Sequence, residues 1–128
     1  MILIFGGAYQ GKLDYALKRF GYTDADVYRY RENETFEPAG AKIIYDIDKW
    51  LLSLIKADAD ADPETAVLRL IERNSGAVVI CSDISCGVVP ADPMLRKWRE
   101  VVGRALSELA RASDEVVRLF CGIPMRVS

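Results

Sequence analysis

Histidine is absent from the 128-residue chain. Its absence excludes His-ligated zinc, Ser-His-Asp and Cys-His catalysis, and any phospho- or nucleotidyl-histidine intermediate. Cysteine is scarce: Cys81, Cys86 and Cys121 are odd in number and form neither a C-x-x-C pair nor a secretory framework. Reduced, buried thiols in a cytoplasmic protein are the expectation. Long hydrophobic runs are also missing. The apolar opening Met1 to Phe5 meets Gly6-Gly7, far short of a signal-peptide core or a membrane span of ~20 residues. A soluble chain with no membrane partner is expected. Positive charge is not in excess either, because 17 basic residues face 19 acidic ones for a net charge of −2. That balance argues against DNA or RNA as a partner. What is present is globular: 51% hydrophobic and 28% charged residues, enough for one compact domain over residues 1–128.

Five short apolar runs are strand-sized and bounded by Gly, Asp or Pro: Met1 to Phe5, Val27 to Arg31, Ala41 to Ile47, Ala77 to Cys81 and Glu115 to Cys121. Three of them are continuous rather than alternating, as in strands buried on both faces of a parallel sheet. Between them lie helical stripes. Leu13, Ala16, Leu17 and Phe20 form the first, closed by Gly21. Trp50, Leu51, Leu54 and Ile55 form the second, and Val67, Leu70 and Ile71 the third, entered through Asp62-Pro63. The longest runs from Asp92-Pro93 to about Ala112. The order β-α-β-β-α-α-β-α-β predicts an α/β fold, with helices on both faces of a mainly parallel sheet. The Asp-rich stretch Ala57 to Asp62 starts like an EF-hand loop, but Pro63 and Arg69 stand where glycine and glutamate belong. A solvated turn is expected there.

The first strand leads into Gly6-Gly7-Ala8-Tyr9-Gln10-Gly11-Lys12-Leu13 and then a helix. This is G-x-x-x-x-G-K in the strand–turn–helix context that gives the pattern meaning. Glycines let the loop turn its N–H groups inward, the helix start adds partial positive charge, and Lys12 reaches terminal phosphates. A nucleotide or phosphate site over Gly6 to Leu13 is the expectation. The final position is irregular: a Ser or Thr hydroxyl normally ligates Mg²⁺ there, and Leu13 has no oxygen to offer. Asp46 and Asp48 follow the third strand and Asp83 the fourth. Ligands collect at the carboxyl ends of strands in open α/β sheets, so Asp46 or Asp83 is placed to hold Mg²⁺ or orient a hydroxyl. A helix cap or turn carboxylate is the alternative for each, and Asp48 ranks lower because it falls within the following helix. A Rossmann-type module fits poorly, because Gly6 to Gly11 lacks the G-x-G-x-x-G spacing.

Further residues carry a resemblance. Ser82-Asp83-Ile84-Ser85-Cys86-Gly87-Val88-Val89-Pro90, Arg96 to Arg104, Ser113-Asp114-Glu115-Val116 and Gly122-Ile123-Pro124 resemble the adenosylcobinamide kinase/adenosylcobinamide-phosphate guanylyltransferase family. That family reads N-E-V-G-x-G-[IV]-V-P, then R-x-F-R-D-x-x-G-x-x-N-Q, A-D-E-V and G-I-P, and its phosphate loop is similar to Gly6 to Leu13. The segment Ala41 to Ile55 resembles its V-D-C-L-T-L-W-L-S-N stretch through Asp46, Trp50, Leu51 and Ser53. The resemblance implies a P-loop NTPase-like, RecA-like fold and a place in cobalamin biosynthesis or salvage. It implies ATP or GTP at Lys12 and the loop, a corrinoid (adenosylcobinamide) as phosphoryl acceptor, and assembly into a homo-oligomer. It puts Asp46 and Asp83 at acidic metal or base positions, with Mg²⁺ as cofactor, and matches Arg96 and Arg99 to arginines that contact substrate or phosphate. A solvated helix face accounts for those arginines equally well. The family's long segment bearing the nucleotidylated histidine has no counterpart, because only Glu32 to Gly40 spans that gap. Guanylyl transfer by the family's route is therefore not expected. The loop pair R-S is Tyr9-Gln10 here, the loop serine is Leu13, N-E-V-G is Ser82-Asp83-Ile84-Ser85, and N-Q is Leu106-Ser107. A kinase step without guanylyl transfer, or a catalytically inactive binder of nucleotide, corrinoid or protein, is the expectation these departures leave.

Overall fold

The computed structural model describes residues 1–7, 10–58, 60–84 and 91–128. The apolar runs form β1 (Ile2–Gly6), β2 (Val27–Arg29), β3 (Ile43–Tyr45), β4 (Val78–Ser82) and β5 (Glu115–Phe120), and a sixth strand comes after them, β6 (Ile123–Arg126). The helices are α1 (Lys12–Phe20), α2 (Ile47–Ala57), α3 (Pro63–Arg73) and α4 (Pro93–Ala112). Two of them, α3 and α4, start at capping aspartates. The Asp62 carboxylate accepts the Thr65 N–H at 3.2 Å, and Asp92 accepts that of Met94 at 2.8 Å, each satisfying a backbone donor that the first helical turn leaves open.

The sheet runs β2-β3-β4-β1-β5-β6. The first five strands are parallel, and β6 returns antiparallel to β5. With β4 between β1 and β3, this is the expected RecA-like arrangement. Alternate side chains feed two cores. Leu3, Ile44, Val79 and Val116 face α2, α3 and α4, where Leu51, Val67, Leu70, Val102 and Leu109 meet them. Ile4, Ile43, Val78, Ile80 and Val117 face α1, packing on Ala16 with Leu13, Leu17 and Phe20 at the margin. Each large aliphatic side chain so buried contributes roughly 1.5–3 kcal/mol.

Three expectations need correction. β2 and β3 are shorter than the apolar runs that announced them, because the flanking residues carry the chain away from the sheet. The apolar runs predict no strand after Glu115 to Cys121, whereas Cys121 (φ 51°) and Gly122 (φ 76°) both take left-handed conformations and fold a tight hairpin into β6. Proline is tolerated in β6 because that strand lies at the sheet edge. Cys81 is buried as expected, but Cys121 is exposed on the hairpin turn, and Cys86 lies outside the described residues.

Candidate functional site

β1, β3 and β4 end side by side, and the chain beyond each of them converges on one cavity. β1 ends at Gly6, where φ is 155° and an added Cβ would overlap the backbone carbonyl oxygen of Leu119 on β5. Glycine is required by that close approach. The Gly6 carbonyl accepts the N–H of Asp83 at 2.8 Å, tying the end of β4 to the start of the turn. Gly11, at φ 79°, lets the chain enter α1 directly.

Lys12 opens α1 and is buried, and its Nζ donates to the Gly7 carbonyl at 2.7 Å. Burial lowers its pKa, opposed by the negative charge of Asp48 foremost and of Asp46. The lysine is thus folded back over the turn, facing carboxylates across the cavity. Gln10 reaches the other way, its Oε1 accepting the Cys121 N–H. This bond pins the glycine turn to the β5–β6 hairpin. Ala8 and Tyr9, expected in the nucleotide site, lie outside the described residues.

Four carboxylates, Asp14, Asp46, Asp48 and Asp83, line the cavity of about 700 Å³ beside Gly7, Gln10, Gly11, Lys12 and Leu13. Asp46 sits at the N-cap of α2 in a left-handed conformation (φ 67°) and makes no side-chain cap, which leaves its carboxylate to Lys49 at 3.6 Å. Asp83 stands just beyond β4. Asp48 occupies the first turn of α2 and is only 7% exposed. Burial pushes its pKa up, against hydrogen bonds from its own backbone and that of Ser82. Its backbone carbonyl accepts the indole N–H of Trp98 at 2.7 Å, so α4 braces the start of α2.

Sequence reasoning undervalued Asp48 and Trp98 and gave no place in the site to Asp14, Tyr45, Lys49, Ser82 or Ile84, which also line the cavity. A signal existed for Asp48: with Leu51 and Ile55 it falls at i, i+3, i+7, the stripe α2 buries. Trp98 is one of the apolar residues in the helical run from Asp92-Pro93 to Ala112 and carries no other signal. Leu13 both lines the cavity and packs on the α1 core. Arg96 is exposed on α4, Arg99 is half-buried, and neither is among the described residues lining the cavity. Among the described residues no three His, Cys, Asp or Glu side chains form a metal-binding group, and no helix is long and apolar enough to cross a membrane.

Fold and site together define a RecA-like α/β protein with a glycine turn and a buried lysine at the carboxyl end of its central strand. Within that class, residues 38–127 match the family described as cobinamide kinase / cobinamide phosphate guanyltransferase, and the chain belongs to that family. Two curated relatives bear the name bifunctional adenosylcobalamin biosynthesis protein CobU. The one from Escherichia coli (strain K12) is 24% identical over 95 residues, 74% of this chain and 51% of that protein. The one from Salmonella typhimurium (strain LT2) is 23% identical over 82 residues, 64% of this chain and 45% of that protein. The chain thus spans about half the length of the curated relatives it matches. The family match includes Asp46, Asp48, Asp83 and Trp98 and begins after the glycine turn.

Proposed function

We propose that the protein binds ATP or GTP with its phosphates over Gly6 to Leu13 and acts in cobalamin biosynthesis as a kinase for the adenosylcobinamide hydroxyl, without guanylyl transfer. The observation that carries this reading is the placement of Lys12 opposite Asp46, Asp48 and Asp83 around one cavity at the strand ends. Backbone N–H groups of the turn and the start of α1 would hold phosphate oxygens, while Lys12 would leave the Gly7 carbonyl to neutralise the terminal phosphates. Asp46 is then positioned to orient the acceptor hydroxyl and take its proton.

Mg²⁺ uses one or two carboxylates together with substrate phosphates and water. One or two of Asp46, Asp48 and Asp83, which line the same cavity, would meet that demand once a nucleotide supplied the remaining oxygens, and Leu13 supplies none. Bound there, the ion would offset charge on the transferring phosphoryl group. Without a histidine to carry the nucleotide, the guanylyl step has no covalent carrier. The family resemblance also supports assembly of like subunits, which sedimentation would read. A second reading, an inactive member that binds nucleotide, corrinoid or protein, is favoured by Leu13 alone.

Thermal unfolding with ATP or GTP, each with and without Mg²⁺, tests the reading. Nucleotide at ~100 times its Kd stabilises by ~2.7 kcal/mol, a rise of several degrees that Lys12→Ala should abolish. Absence of any shift rejects nucleotide binding. A shift without phosphorylation of adenosylcobinamide leaves the binding-protein reading.

A further inference from the structure

Away from the strand ends, α2, α3 and the chain before β3 enclose a second pocket of about 300 Å³, which shares no described lining residue with the first cavity. Its floor is apolar, built from Leu70 and from Phe36 and Trp50, whose ring centroids lie 5.0 Å apart. Its rim carries the exposed side chains of Arg69 and Arg73, four residues apart on one face of α3. Like charges at that spacing repel and weaken a helix. Among the described residues no carboxylate pairs with either guanidinium, and Glu37 is the one acid on the rim. The wall is already in place without a ligand. The Asn74 side chain donates to the Pro38 carbonyl at 2.8 Å, and the Gly40 N–H to the Arg73 carbonyl at 3.1 Å, fixing residues 38–40 against the end of α3.

We infer that this pocket binds an aromatic carboxylate, with its ring on Phe36 and Trp50 and its carboxylate bridged by Arg69 and Arg73. A guanidinium is a planar fork that matches both oxygens of a carboxylate. One negative charge set between the two arginines removes their mutual repulsion, which Glu37 does not do in this structure. The aromatic floor offers ring faces and edges to an aryl group, and a pocket at the small end of the range for ligand sites suits a single ring. Because the wall is preformed, little ordering opposes binding. The inference goes beyond the nucleotide reading and does not depend on it.

Titration of the ¹⁵N-labelled protein with phenylacetate, followed by amide shifts and by the indole Nε1–H signal of Trp50, tests it, with phenylethanol as the uncharged control and acetate as the ringless one. Saturable shifts are expected at Trp50 and at residues 36–38 and 66–73. Affinity should fall at least ~tenfold for either control, and as far for phenylacetate in Arg69→Gln/Arg73→Gln, which lacks two charge-assisted hydrogen bonds. Both arginines are exposed, so the spectrum of the variant elsewhere should stay unchanged. If it loses dispersion, Arg69→Ala/Arg73→Ala gives the same reading. An undiminished titration in the variant, equal affinity for phenylethanol or acetate, shifts confined to the strand-end cavity, or no saturable shift would each overturn the site. The Lys12-dependent thermal shift with nucleotide bears on the nucleotide reading alone.

Discussion

Single residues at the cavity are held in states that cost stability. Asp48 is buried with a pKa raised by desolvation, so the folded protein holds a proton more firmly than the unfolded chain. Stability from this group is full below the unfolded value of 3.8 and is lost as pH rises through the folded one. Asp48→Asn is therefore expected to raise unfolding free energy at pH 7 to 8 by about 1 kcal/mol, with little change at pH 3, in urea titrations at the two pH values. Lys12 has the opposite sign. Its lowered pKa means the unfolded state binds the proton more tightly, so this penalty is relieved as pH climbs toward 10.5. Two buried charges that each cost stability, in one cavity, mark a binding site better than a structural core. Trp98 provides a reporter. In Trp50→Phe, nucleotide binding should change the remaining indole emission, and Lys12→Ala should remove that change.

At the scale of elements, the turns and caps carry the architecture. Gly6→Ala places a methyl group against the Leu119 carbonyl at a positive φ. It should cost at least ~1–3 kcal/mol in denaturant unfolding, because neither backbone can yield without breaking the β1–β5 register. Asn74, after α3, is 1% exposed. It accepts the Ala41 N–H and donates to the Pro38 and Leu70 carbonyls, joining the chain before β3 to the end of α3. Asn74→Ala leaves those backbone groups unpaired and should destabilise by about 2–4 kcal/mol. The helices themselves were legible from spacing and from Asp-Pro starts. Legibility failed where backbone handedness decided the outcome, at the Cys121-Gly122 hairpin and at Asp46, since no side-chain pattern announces a left-handed residue.

Across the whole molecule, one sheet separates two cores, and each depends on the other through the strands they share. Ile4 belongs to the face under α1 and Leu109 to the face under α4. Ile4→Ala and Leu109→Ala should each cost about 2–5 kcal/mol and add nearly fully in the double variant, within a single unfolding transition.

Composition, periodicity and the glycine pattern determined the α/β class, the order of its elements as far as β5, and the glycine turn with Lys12, because burial imposes period and backbone strain imposes glycine. The lack of histidine is likewise read from composition without reference to shape. Only the tertiary structure decided that Asp48 and Trp98 join the cavity and that Arg96 and Arg99 are not among the described residues lining it. Those outcomes depend on which strands lie side by side and how each helix turns above them, relations among residues far apart in the chain that no local pattern encodes.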